Sequence, residues 1–99
     1  MKDRIKHKIE KRRRADIHKV LDLVLDMNGL GLRQKKSTGN LPTAFFEFSG
    51  HTACTYISIH KDGWEPDAGA DYRFDTHVTQ KDQACLIRKL EDIKHELSL

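Results

Sequence analysis

Six histidines and two cysteines are the side chains here best suited to hold a metal or move a proton. By alternation taken within each expected strand, Cys54, His60 and His77 fall on the same outer face of a sheet. If the second and third strands adjoin, His60 and His77 come together for a metal or for acid–base work. No Cys-x-x-Cys or His-x-x-x-His spacing strengthens that site. Asp62, Glu65, Asp67 and Asp71 offer oxygen ligands without the spacing of a calcium loop. Gly29-x-Gly31 with Lys35–Lys36–Ser37–Thr38 lacks the P-loop spacing and follows a helix instead of a strand. Ser49, Ser58, Cys54 and Cys85 lie in no nucleophile elbow or dyad context, and Cys85, beside the apolar stripe of the last helix, is expected to fill core. The expected catalytic, metal and cofactor sites are therefore none.

A different chemistry gathers at the N-terminus. Nine of the 18 Lys and Arg residues precede Val20, against Asp3, Glu10 and Asp16 on the acidic side. Cations at this density neutralise phosphates. Lys6, Lys8, Lys11, Arg12, Arg13 and Arg14, joined by Lys35 and Lys36, are the candidate nucleic-acid contacts. Phe45, Tyr56 and Trp64 are candidates of another kind, an aromatic patch on or beside an uncovered sheet face, as protein–protein surfaces often carry. Glu47 and Arg73 mix the charge there, which argues against a stacking platform for single strands. The bland alternative is that the Trp64 loop folds back and covers the face.

These residues need elements to position them. Ile17, Val20, Leu21, Val24 and Met27 or Asn28 repeat on the helical period, and Gly29 and Gly31 supply a stop. Residues 29–42 form a polar, glycine-containing connector expected to be flexible. Alternation then sets Ala44, Phe46 and Phe48 on one face of a first strand. Ala53, Thr55, Ile57 and Ile59 share one face of a second, with Cys54, Tyr56, Ser58 and His60 opposite. Asp62–Gly63 is a turn signal. A third strand over Asp71–Thr76 points Tyr72 and Phe74 inward. Thr79 is the expected N-cap of a closing helix whose stripe is Leu86, Ile87, Leu90, Ile93 and Leu97.

The predicted order is α-β-β-β-α. Its simplest arrangement is an α+β domain, a three-stranded antiparallel sheet with both helices packed on one face. A helix from Asp3 to Asn28 runs roughly 39 Å, against about 20–24 Å for strands of six or seven residues. Residues 1–14 must therefore stand as a basic helical overhang from a single domain spanning 1–99. Ninety-nine residues, 37% hydrophobic and 33% charged, suit one small globular domain. Two cysteines make no disulfide framework, and neither a leader nor a membrane span is apparent, so a cytoplasmic protein is expected.

Double-stranded-RNA-binding domains share the α-β-β-β-α order. That family opens its second helix with lysines set against phosphates, whereas Thr79-Gln80-Lys81-Asp82-Gln83 holds one lysine beside an acid, so the likeness is one of topology. The stretch Phe46-Glu47-Phe48-Ser49-Gly50-His51-Thr52, with Ile57-Ser58-Ile59-His60 and Gly63-Trp64, resembles short uncharacterised proteins encoded by phages and prophages of Gram-positive bacteria. The resemblance covers about twenty residues and implies a small interaction module without transferring any site residue. The expected function is thus a non-enzymatic interaction module that self-associates as a dimer or binds another protein. A nucleic-acid-binding module using the basic helix is the alternative. An enzyme or metal site on the outer sheet face stands third.

Overall fold

The helical period set by Val20, Val24 and Met27 extends in both directions. In a computed structural model, which describes residues 2–97, one continuous helix, α1, spans Lys2–Asn28. It buries Val20, Leu23, Val24 and Met27, so the contact stripe is wider by Leu23 than the sequence pattern indicated, and Leu21 is only half-buried. Gly29 ends it at φ +78, a left-handed conformation that side chains resist. Asn28 then ties the end of α1 to the sheet, its Oδ1 accepting from the Ala44 amide at 3.1 Å.

The 29–42 connector contains a single helical turn, α2 (Lys35–Thr38). Arg33 donates to the Pro42 carbonyl at 2.9 Å, and Lys35 pairs with Glu65 at 2.9 Å.

The three strands are β1 (Thr43–Ser49), β2 (Cys54–His60) and β3 (Tyr72–His77). They form an antiparallel sheet in the order β1-β2-β3. Its register aligns Ala44, Ile59 and Tyr72 in one row and Phe46, Ile57 and Phe74 in the next, all on the inner face. Ala53 does not extend β2. It sits exposed in the turn at φ +53, a left-handed backbone that costs an alanine of order 1 kcal/mol.

The closing helix, α3 (Gln80–Glu96), starts at Thr79, whose hydroxyl accepts from the Asp82 amide at 3.3 Å. Leu86, Leu90 and Ile93 join Ile57, Ile59 and the α1 residues in one core, rimmed by Ala44, Phe46, Tyr72, Phe74, Ile87 and Leu97. Gln83, polar and fully buried, belongs to the same face and donates to Thr55 Oγ1 at 3.1 Å and to the His77 carbonyl at 2.8 Å. Both helices cover one face of the sheet, α1 beside β1 and α3 beside β3. They run parallel to each other: Arg12 lies against Gln80 and, fourteen residues on, Asp26 meets Lys94 at 2.9 Å.

Candidate functional site

Parallel packing fixes where the two helices part. With its amide oxygen turned toward the guanidinium, Gln80 accepts from Arg12 Nε and Nη2 at 3.0 Å each. Since Gln80 begins α3, Lys2–Lys11 extend past it, about 15 Å of helix. Every residue from 2 to 15 is exposed. The candidates Lys6, Lys8, Lys11, Arg12, Arg13 and Arg14 all lie on this segment. Over residues 2–14, eight basic and two acidic side chains give a formal +6, and the rest of the chain carries −3. Two of the basic groups are engaged: Arg12 with Gln80, and Arg14 with Glu10 at 3.4 Å, the latter pair in solvent. Ile5 (59% exposed) and Ile9 (46%) are also uncovered. They continue the line of Asp16, Val20, Leu23 and Met27, so the side of α1 that packs on the domain runs on without a neighbour.

Lys35 and Lys36 stand at the other end of the molecule. They follow the C-terminal end of α1, and Arg14 to Asn28 alone spans about 21 Å. Together with Arg33 they line a groove whose opposite wall is Trp64, Glu65, Pro66 and Asp67. Lys35 is held by Glu65. The structure thus joins Trp64 to two lysines that the sequence assigned to a different surface, and separates those lysines from the N-terminal arm.

The outer sheet face carries Phe45, Ser58 and Arg73 in one row and Glu47, Tyr56 and Asp75 in the next. These six residues line a shallow depression to which Trp64 does not contribute. Phe45 is 45% exposed, packed edge-on against His60 with ring centres 5.7 Å apart, and Tyr56 is half-buried.

His60 and His77 do not meet. His60 pairs with Thr43 and His77 with Cys54, at opposite ends of β2, about 20 Å apart by strand rise. The candidate His60–His77 site, third among the readings, is therefore ruled out by antiparallel register. The close pair is Cys54 Sγ and His77 Nδ1, at 3.2 Å, with Cys54 buried and its Sγ also 3.4 Å from the Thr52 carbonyl. Alternation placed both residues on this face, but only the exact strand register shows which of them touch. Cys85 is exposed and lines the β3–α3 seam, against the expectation that it fills core. Among the described residues, no group of three His, Cys, Asp or Glu side chains is placed to hold a metal, and no helix is long and apolar enough to cross a membrane.

One titration is displaced. The Tyr72 hydroxyl donates to Glu96 Oε2 at 2.9 Å, and that bond raises the phenol above its ordinary 10.0. Desolvation and the charge of Glu96 act in the same direction.

Comparison with protein-family models, with curated proteins and with solved structures gives no match.

Proposed function

We propose that the protein is a non-enzymatic interaction module of the cytoplasm whose binding element is the N-terminal segment of α1, and that its partner is nucleic acid. The observation that carries this reading is the pairing of shape and charge. A formal +6 lies on a helix segment that touches the domain only at its inner end. Burying two isolated isoleucines would not require eight cations, whereas a phosphate backbone rewards each one through counterion release. Lys35 and Lys36, at the far end, fall outside the footprint of the arm.

Retention on heparin and salt-dependent binding to mixed nucleic acids test the reading. The log–log salt slope is expected near −0.9 per phosphate neutralised. Changing Arg12, Arg13 and Arg14 together to glutamine should flatten it by about 2.7. Failure to bind any polyanion at low salt would refute the proposal.

Self-association is a second reading, favoured by the outer sheet face. A two-fold axis crossing the strands between the Phe45–Ser58–Arg73 row and the Glu47–Tyr56–Asp75 row sets Arg73 of each copy over Asp75 of the other. Light scattering at high micromolar concentration distinguishes a dimer, which Tyr56→Glu should dissociate, from a monomer, which ends this reading.

A further inference from the structure

We infer that the nucleic acid is B-form duplex DNA, entered through its major groove by residues 2–11 of α1. This rests on the polyanion reading above and names its substrate. Three observations favour a groove over a flat or flexible partner. The free segment is a bare helix about 15 Å long, and an α-helix with its side chains is ≈ 10–12 Å across, the width of the B-DNA major groove at ≈ 12 Å. The corresponding groove of A-form RNA is too narrow for it.

The second observation is the distribution of charge around the helix. Ile5 and Ile9, one turn apart, form a narrow apolar strip. Lys8, three residues on from Ile5, borders it on one side and Lys6 on the other; Arg13 continues the second flank just beyond the free segment, while Arg12 is held by Gln80. A helix lying on a plane of charge needs cations on a single face. A helix sunk in a groove meets a phosphate strand on each flank and base edges beneath; Lys6 and Lys8 flank the strip, and Arg4 and Lys11 lie on the opposite side of the helix. The third is the chemistry of the strip itself. Two exposed apolar side chains between rows of cations suit the C5-methyl groups of thymine, the one apolar feature of the major-groove floor.

The full chain is titrated by fluorescence anisotropy against a short DNA duplex containing A·T pairs, the RNA duplex of the same sequence, and the single DNA strand, at one salt concentration. The DNA duplex is expected to bind at least about tenfold more tightly than the RNA duplex. Replacing thymine by deoxyuracil removes only the methyl groups and should weaken binding by about fourfold for each one contacted. The double variant Ile5→Gln/Ile9→Gln should bind less tightly and no longer distinguish thymine from deoxyuracil. Both side chains are exposed, so the variant keeps its fold. Equal affinity for the DNA and RNA duplexes, or indifference of the wild type to deoxyuracil, overturns the groove inference and leaves the polyanion reading standing. No binding to any of these, or to heparin at low salt, overturns both.

Discussion

Gln83 has no exposed surface, yet both hydrogens of its amide are spent, on Thr55 Oγ1 and on the His77 carbonyl. Leucine there keeps the volume and strands the His77 carbonyl, so Gln83→Leu is expected to destabilise by roughly 1–3 kcal/mol in urea unfolding. Ala53 presents the opposite case. Its left-handed backbone is an avoidable strain, and Ala53→Gly should stabilise the fold by up to about 1 kcal/mol, read from the same unfolding curves. At Tyr72 the effect depends on pH. The native phenol holds its proton more tightly than the unfolded one, so above about pH 10 the unfolded chain releases protons that the native chain keeps. The Tyr72–Glu96 contribution is complete below pH 10 and fades as pH climbs through the raised native value. Unfolding midpoints of wild type and Tyr72→Phe should therefore converge in strong alkali; a constant difference from pH 8 upward would show that the hydrogen bond contributes nothing to this dependence. These three residues illustrate what the sequence withholds. A buried glutamine, a strained alanine and a paired tyrosine have unremarkable surroundings along the chain, and only packing gives them their roles.

The elements themselves were largely legible. Alternation placed Phe46, Ile57, Tyr72 and Phe74 on the inner face, and Thr79 with Asp82 marked the start of α3. What escaped were relations between elements. Parity cannot supply the strand register, so it could not separate the Cys54–His77 contact from the His60–His77 one. The position of Trp64 opposite Lys35 and Lys36 depends on a connector with no period to read. The expectation of a basic overhang over residues 1–14 came from two lengths, a helix of twenty-seven residues against strands of six or seven; in the structure Arg12 already reaches Gln80, so Lys2–Lys11 extend past α3. Its energetics also belong to this scale. Among the described residues, no side chain before Asp16 is buried or half-buried, so deleting residues 2–11 should leave stability within about 0.5 kcal/mol of wild type. Met27→Ala, at the centre of the core, should cost 2–5 kcal/mol on the usual scale for such truncations. A deletion that destabilised comparably would mean that the segment packs on the domain after all.

As a whole the molecule measures 55 × 27 × 21 Å, with a radius of gyration of 15.1 Å, where a compact chain of this length has about 13 Å. Removing residues 2–11 should bring small-angle scattering down toward the compact value. The charge is as lopsided as the shape, +6 on the arm against −3 on the body, so the protein should orient in an electric field and approach a polyanion arm first. The continuity of α1 has one more consequence, for proteases. Trypsin needs an extended segment in its cleft, and the arm offers it eight lysines and arginines, all wound into helix. Cutting must wait for turns of the exposed segment to unwind, and a turn held on the domain opens less often than one that touches nothing. Sites before Lys11 should therefore be cut ahead of those at Arg12, which Gln80 holds. The cleavage rates would give the fraction of time that each successive turn lies open.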